Sequence, residues 1–363
     1  MHTESAGPVP YGTGAAFVVS DHGEVARRFP SIRSTVAVVV SALLLIAGIS
    51  WWALVREPRF GGGAALRPPV GNGLPVVQPA AVDGDGLALP KKLGSLRFAV
   101  MGDVGRGDLA QYDTAVEMAR WHQRFDFSFV LMLGDNMYGA GTPEDYAARF
   151  ERPYKALLDA GVMFYAANGN HDPVSILTYP LYNMNGNRYY QFSKTEGPLG
   201  PIARRTVRFF AIDSVNLDRE QLAWLRRSMS ESGADWQICF YHHPIYTSGR
   251  YRSAAARLRR VLEPVLTQFG ADVALAGHEH FYERIVPQRG VLYFTSGAGG
   301  ALRVGDIRPS TLTAKGFDTD THFILMEVAG DELYFQAISR TGQTVDSGWI
   351  TRLERPPPPP SIR

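Results

Sequence analysis

Short apolar runs that alternate with longer helical patterns limit this chain, more than any other feature, to an α/β fold. The runs are rich in Val, Ile, Leu and Phe, as buried strands are. The predicted strands lie at 96–101, 129–133, 162–166, 207–212, 236–241 and 273–276, and the predicted helices at 109–125, 218–229 and 254–269. Such alternation is typical of domains with parallel strands. The later runs at 291–295, 323–328 and 332–338 have no helices between them, which predicts an antiparallel meander.

Polar residues follow these predicted strands in a regular way. The residues that come just after a strand are Asp103, Asp135, Asn170, His242 and His278. An isolated Asp or His is more often a turn residue or a buried, hydrogen-bonded side chain than a ligand. In open α/β sheets, however, the loops at the carboxyl ends of the strands converge on one edge. Five such residues at five strand ends therefore predict one cluster.

The chemistry of that cluster favours a pair of metal ions. Its segments are Gly102-Asp103-Val104-Gly105, Gly134-Asp135-Asn136-Met137-Tyr138, Gly169-Asn170-His171-Asp172, His242-His243-Pro244 and Gly277-His278-Glu279-His280. Carboxylates, an amide oxygen and imidazoles suit iron, manganese or zinc. Two cations about 3.5–4 Å apart can clamp a phosphate group and stabilise its developing charge. His278 and His280 are two residues apart, and we expect an extended backbone to splay them, whereas a tight loop could direct them to adjacent metals.

The five motifs, in this order, resemble those of the calcineurin-like metallophosphoesterases. Members of that broad family usually have Asp-x-His at the first motif, whereas this chain has Asp103-Val104-Gly105. In the purple acid phosphatase branch, a tyrosine three residues after the second aspartate makes up the loss, and Tyr138 stands there. The chain is therefore similar to the purple, or tartrate-resistant, acid phosphatases. This resemblance implies a four-layer α/β fold in which two stacked mixed β-sheets are flanked by α-helices.

The resemblance also implies a role for each matched residue. Asp103, Asp135, Tyr138 and His280 would hold Fe(III), and Asp135 would bridge to a divalent Fe, Zn or Mn ion that Asn170, His242 and His278 also hold. His171 would contact the phosphoryl group and protonate the leaving oxygen. The implied activity is phosphomonoester hydrolysis by in-line attack of a metal-bound hydroxide, with Asp135 and His171 as the catalytic residues.

One departure from the family pattern leaves the substrate class open. Animal and plant members generally carry a further histidine several residues beyond the His-x-Pro motif, but residues 247–252 contain none. We expect Arg250 or Arg252 to bind phosphate in its place, although both can equally be solvated loop charges. His243 is interpreted as the variable residue before Pro244. The alternatives are a phosphodiesterase or nucleotide pyrophosphatase with two Mn or Zn ions, and a membrane-tethered binding protein that lacks catalysis.

Outside the predicted domain at 93–355, the chain has a different character. Residues 34–55 are apolar and uncharged, and as a helix they would span about 33 Å, enough for a bilayer core of about 30 Å. We interpret them as an uncleaved transmembrane anchor rather than a signal peptide, between a polar tail at 1–33 and a Pro/Gly-rich linker at 56–92. A Pro-rich tail comes last, at 356–363. The prediction is a single-pass membrane protein with an extracytoplasmic catalytic domain, although the flanking arginine counts are equal.

Composition excludes some partners. The formal net charge is +2 without a basic patch, so we expect no nucleic-acid partner. Gly102-Asp103-Val104-Gly105-Arg106-Gly107 has the wrong glycine spacing for a dinucleotide loop, and Asp103 would repel a pyrophosphate. The expected substrate is a phosphorylated small molecule or a phosphoprotein.

Overall fold

The computed structural model of the protein describes residues 73–197 and 205–353. The strands are β1 Leu96–Met101, β2 Phe129–Met132, β3 Met163–Ala166, β4 Tyr190–Thr195, β5 Thr206–Ile212, β6 Trp236–Tyr241, β7 Val273–Ala276, β8 Tyr282–Ile285, β9 Leu292–Ser296, β10 Thr313–Phe317, β11 His322–Ala329, β12 Glu332–Ser339 and β13 Thr344–Thr351. The α-helices are α1 Leu109–Arg124, α2 Pro143–Tyr146, α3 Lys155–Asp159, α4 Arg219–Ser230 and α5 Arg252–Gln268. A π-helical turn spans Ala147–Glu151, and 3-10 helices span Val174–Thr178 and Pro180–Tyr182.

The described strands form two mixed sheets. The first has the order β13-β12-β11-β1-β2-β3, and β1, β2 and β3 in it are parallel. The second has the order β10-β8-β9-β7-β6-β5-β4, and its parallel strands are β5, β6, β7 and β9. Of the predicted meander, the runs at 323–328 and 332–338 form the antiparallel strands β11 and β12, which β13 continues. The run at 291–295 was wrongly included, because it forms β9 in the second sheet, parallel to β7. The prediction of two mixed sheets with flanking helices is therefore confirmed.

Alternation along the strands produces the layers. In β1, Phe98 and Val100 belong to the core between the sheets, whereas Ala99 and Met101 belong to the core under α1. In β6, Ile238 faces the same inner core, whereas Cys239 and Tyr241 belong to the core that includes residues of α4 and α5. Successive side chains of a strand point to opposite faces, so a strand buried on both faces reads as a continuous apolar run.

Part of the predicted linker at 56–92 packs on the first sheet. Leu87 and Leu89 are buried in the core that includes α1. The backbone nitrogens of Lys91 and Lys92 donate to the carboxylate of Glu327, at 2.9 and 2.6 Å. Residues 87–92 therefore lie against the folded domain.

The predicted membrane localisation is corrected by the structure. Among residues 73–197 and 205–353, no helix is both long enough and apolar enough to cross a bilayer. The predicted anchor at 34–55, like the tails at 1–33 and 356–363, lies outside the described residues. The longer helices α1, α4 and α5 each bury one face in a core beside a sheet, and such packing requires one apolar face rather than an apolar surface all round.

His322 links the two sheets and makes stability depend on pH. Its Nε2 lies 3.0 Å from Ser296 Oγ across the inter-sheet core, and both residues are buried. Burial lowers the pKa of His322 to about 3. In the unfolded chain, His322 has a pKa of about 6.5 and binds a proton below that pH, whereas in the folded protein it stays neutral. Because the unfolded state then binds more protons, the free energy of unfolding falls as the pH falls.

We expect His322→Gln to remove this part of the pH dependence. Between pH 7 and pH 5, the unfolding free energy of the wild type should fall by about 2 kcal/mol more than that of the variant. Urea unfolding of both proteins at the two pH values measures the difference. Because the other buried histidines titrate in both proteins, their contributions cancel. An equal pH dependence of the unfolding free energy in the two proteins would contradict the role assigned to His322.

Candidate binuclear metal centre

The carboxyl ends of parallel strands in both sheets meet at one edge of the domain. The first sheet brings Asp103, Asp135 and Asn170 there after β1, β2 and β3, and the second brings His242 and His278 after β6 and β7. The loops are joined directly, since the backbone nitrogen of His278 donates to Asp103 Oδ2 at 2.7 Å. The backbone nitrogen of Asp103 in turn donates to the carbonyl of Gly134 at 3.0 Å.

Three residues of these loops have a strained backbone. Asp103, Asp135 and His278 have positive φ angles of 57°, 49° and 68°. Residues with side chains rarely adopt this region, and such strain persists mostly at functional sites, where surrounding contacts enforce it. Close approach requires glycine as well, because a Cβ added to Gly169 would lie 1.9 Å from the backbone nitrogen of Asp135. One added to Gly277 would lie 2.6 Å from Asp103 Oδ2.

A first donor set consists of Asp103, Asp135, Tyr138 and His280. The Tyr138 hydroxyl lies 3.3 Å from Asp103 Oδ1, 3.0 Å from Asp135 Oδ2 and 3.4 Å from His280 Nε2. His280 Nε2 lies 3.2 Å from Asp103 Oδ1. Three oxygens and one imidazole nitrogen therefore converge on one small volume.

A second donor set consists of Asp135, Asn170, His242 and His278. His242 Nε2 lies 2.9 Å from Asn170 Oδ1, 3.2 Å from His278 Nδ1 and 3.3 Å from Asp135 Oδ1. Asp135 belongs to both sets, because its Oδ2 faces Tyr138 and its Oδ1 faces His242. Its carboxylate thus lies between two adjacent groups of donors.

The charges and protonation states of the side chains in this cluster are those expected of a cation-binding site. Asp103 and Asp135 are buried, and within the described residues their ion-pair contacts are to His280 and His242 rather than to lysine or arginine. Burial raises the pKa of Asp103, and the charge of Asp135 raises it further. Burial lowers the pKa of His278 to about 2 and that of His280 to about 3. Neutral imidazoles beside buried carboxylates are the donor set that a metal ion needs.

Comparison with known proteins identifies the family. Residues 96–282 match the family model described as calcineurin-like phosphoesterase. The chain belongs to the calcineurin-like phosphoesterase family. The rat (Rattus norvegicus) tartrate-resistant acid phosphatase type 5 is 23% identical over 303 residues, which are 72% of this chain and 92% of the relative. Purple acid phosphatase 17 of Arabidopsis thaliana is 26% identical over 62% of this chain and 74% of its own length.

Solved structures with low identity share the fold. A purple acid phosphatase from yellow lupin (Lupinus luteus) seeds aligns with a TM-score of 0.59 and 18% identity, over 73% of this chain and 55% of its own. GAP50, described as the anchor in the inner membrane complex of Plasmodium, aligns with a TM-score of 0.64 and 19% identity, over 72% of this chain and 90% of its own. The predicted resemblance to the purple acid phosphatases is thus confirmed, and the chain is a metallophosphoesterase.

Around the two donor sets, the phosphoesterase has supporting groups that sequence reasoning missed. The carboxylate of Asp172 accepts from Asn136 Nδ2 and the Met137 backbone nitrogen at 2.8 Å each, and from the Gly169 backbone nitrogen at 2.7 Å. It therefore ties the loop after β2 to the loop after β3. His242 Nδ1 lies 2.9 Å from the Leu133 carbonyl, which accepts a hydrogen bond from it, so Nε2 faces the centre with its lone pair.

His171 and His243 border the cluster on two sides. His171 is exposed, its backbone nitrogen donates to Asp135 Oδ1 at 2.9 Å, and its ring lies 4.9 Å from that of Tyr138. His243 Nδ1 lies 3.2 Å from Ser214 Oγ, and its ring lies 4.3 Å from that of His278. His243, interpreted from sequence as a variable position, thus lies beside the second donor set. Because His171 is exposed, this side of the cluster reaches the surface of the domain.

The two arginines that the sequence singled out lie outside these donor sets. Arg250 is exposed and makes a bidentate ion pair with Asp306, at 2.8 and 2.9 Å. Arg252 is the exposed first residue of α5. Tyr251, which lies between the two arginines in the chain, does reach the cluster, because its ring lies 4.4 Å from that of His278. The guanidinium carbon of Arg303, which no motif indicated, lies 5.8 Å from the ring of Tyr251.

The shared carboxylate makes a prediction about metal content. We expect Asp135→Asn to lower the content of both metal ions, because the neutral amide weakens both donor sets. We expect His278→Ala to lower mainly one of the two, because His278 lies in the second set alone. Elemental analysis of the purified proteins measures this, with the exposed Asp159→Asn as a control that should retain the wild-type content. Full retention of both metals by Asp135→Asn would contradict the shared role.

Proposed function

We propose that this phosphoesterase hydrolyses phosphomonoesters at a mixed centre of Fe(III) and a divalent Fe, Zn or Mn ion. The observation that carries the proposal is that the two carboxylate oxygens of Asp135 face two separate donor sets. Adjacent sets that share one carboxylate suit two cations that hold a phosphate group between them. The relatives named as acid phosphatases support the monoester reading.

The composition of the first set supports iron. Among the donors around Asp103, Tyr138 contributes a phenolic oxygen, and phenolate is a good ligand for Fe(III). Burial raises the pKa of Tyr138, and the charges of Asp103 and Asp135 raise it further. A bound trivalent cation would lower the pKa of Tyr138 instead and favour the phenolate, since a metal ion is the largest local charge in its site. Asn170, His242 and His278 then suit the divalent ion.

The chain's own residues have distinct tasks in the proposed reaction. When bound, the two cations would supply Lewis acidity to the phosphoryl oxygens and would activate water. Asp135 holds the two sets together, and Leu133 orients His242 through its carbonyl. His171 is exposed next to Asp135, where its imidazole can contact the phosphoryl group and give a proton to the leaving oxygen. The exposed position of His171 suits a phosphorylated small molecule or a phosphoprotein side chain as the substrate.

Hydrolysis by the full chain, loaded with iron and zinc, tests the substrate class. We expect an aryl phosphomonoester to be hydrolysed faster than the matched aryl phosphodiester. Asp135→Asn should reduce the rate by more than about 100-fold, because even residues that only support metal ligands typically contribute 10- to 100-fold. Initial rates with both substrates measure this, and Asp159→Asn serves as the control.

Other outcomes of the same assay favour other functions. A preference for the diester would support a phosphodiesterase or nucleotide pyrophosphatase with two Mn or Zn ions instead. If Asp135→Asn leaves the hydrolysis rate unchanged, the donor sets do not take part in catalysis, and a binding role for the domain is supported.

Light absorption tests the ferric part of the proposal. We expect a visible charge-transfer band from the Tyr138 phenolate to Fe(III), and we expect Tyr138→Phe to abolish it. The absorption spectrum is recorded together with iron content, so that loss of the band can be distinguished from loss of the metal. Wild-type protein that binds metal but contains neither iron nor a visible band would exclude the ferric centre.

A further inference from the structure

Arg303 lies in the loop after β9, outside the five sequence motifs, and hydrogen bonds hold that loop beside the donor sets. Its backbone nitrogen donates to the carbonyl of His280 at 3.1 Å. Two residues earlier, the backbone nitrogen of Ala301 donates to the carbonyl of Asp103 at 3.0 Å. The loop after β9 is therefore attached to two residues of the first donor set, and Arg303 has little freedom to move away from it.

The guanidinium of Arg303 has a buried donor that is left unpaired. Its Nη1 has no hydrogen-bond partner among the described residues. Burial raises the pKa of the nearby Glu279 carboxyl and the charge of Arg303 lowers it, while Glu279 Oε1 accepts from Thr247 Oγ1 and from the Tyr251 backbone nitrogen, at 3.0 Å each. Glu279 Oε2 is also buried without a hydrogen-bond partner among the described residues, and it forms no ion pair with Arg303. A buried cationic donor without an acceptor costs free energy unless a ligand satisfies it. An anion is the ligand that would do so.

The guanidinium also faces the site rather than the bulk solvent. Its carbon lies 5.8 Å from the ring of Tyr251, and that ring lies 4.4 Å from the ring of His278 in the second set. After burial, the charge of Arg303 is the next largest influence that lowers the pKa of His280 in the first set. Arg303 thus lies near residues of both sets, and the ring of Tyr251 restrains its orientation.

We propose that Arg303 binds a non-bridging oxygen of the substrate's phosphoryl group, and this inference rests on the proposed function. The Nη1 donor can satisfy a phosphoryl oxygen held between the two donor sets. A guanidinium presents planar, charged donors that match phosphate oxygens, and it keeps its charge at every physiological pH. Arg250, which the sequence suggested for this task, is instead paired with Asp306. The favoured substrate is the dianionic phosphomonoester, whose greater charge such an arginine neutralises.

Binding of inorganic phosphate tests Arg303 separately from catalysis. Calorimetry on the metal-loaded full chain gives the dissociation constant for phosphate, and elemental analysis gives the metal content. We expect Arg303→Met to weaken phosphate binding roughly 10- to 100-fold, as for the loss of one charge-assisted hydrogen bond, with metal content unchanged. Arg303→Lys, which keeps the charge but not the fork, should lose less. Arg308→Met, at an exposed position of the same loop, should bind phosphate as the wild type does.

The possible results separate the inference from the proposed function. Unchanged phosphate affinity in metal-replete Arg303→Met overturns the inference, even if the wild type hydrolyses monoesters. Weakened binding supports it, even if the wild type hydrolyses none, in which case the proposed function fails alone. If Arg303→Met loses metal, the phosphate affinity and metal content of Arg303→Lys decide between the two readings. Weaker phosphate binding with metal retained supports the inference, whereas loss of metal from both variants assigns Arg303 to holding the loop and overturns it.

Discussion

The carboxylate of Asp135, buried at the edge where the two sheets meet, is the constraint on which the site depends. Together with Asp103 it places two acidic groups where the described residues provide no lysine or arginine ion pair. Burying such charges is unfavourable unless cations or strong donors compensate. Metal binding accounts for the neutral imidazoles, for the glycines that let the loops approach closely, and for the positive φ angles of the surrounding loops.

The fold supplies the rigidity that this arrangement needs. Each sheet contributes loops to the site, and the hydrogen bond from the His278 backbone to Asp103 joins them directly. Behind the loops, apolar strands such as β1 and β6 are buried on both faces. Residues held in strained conformations persist only where surrounding packing determines them. The double-sheet core therefore has a direct functional consequence, because it keeps donors from separate strands within a few ångströms of one another.

Fold similarity by itself does not assign a function here. The Plasmodium GAP50 structure is described as an anchor, whereas the lupin structure is a purple acid phosphatase, and they align with this chain at 19% and 18% identity. The same architecture can carry unrelated functions, so the functional conclusion must come from the site. What favours an enzyme is the complete pair of donor sets around Asp135, with the exposed His171 beside it. Arg303 and Tyr251 also lie beside the donor sets, although no sequence motif indicated them.

Local sequence determined much of this protein. Leu96–Met101 and Trp236–Tyr241 were predicted with their observed bounds, because strands buried on both faces are continuously apolar and end at polar or glycine residues. The motif residues after those strands were predicted to cluster, since parallel strands bring their carboxyl ends to one edge. Tertiary structure decided the remainder. Strand Tyr190–Thr195 is at the edge of its sheet and alternates between half-buried and exposed, so it forms only because β5 pairs with it.

The tertiary structure alone also decided which arginine faces the site. Arg250 and Arg303 are both charged loop residues in the sequence, and no local pattern separates them. Folding places Asp306 against the first and leaves the second with a buried, unpaired donor beside His280. Local patterns encode which segments become strands and which residues end them, because those preferences arise from neighbouring residues. Charge pairing between distant loops depends on how the whole chain packs, so only the folded structure determines it.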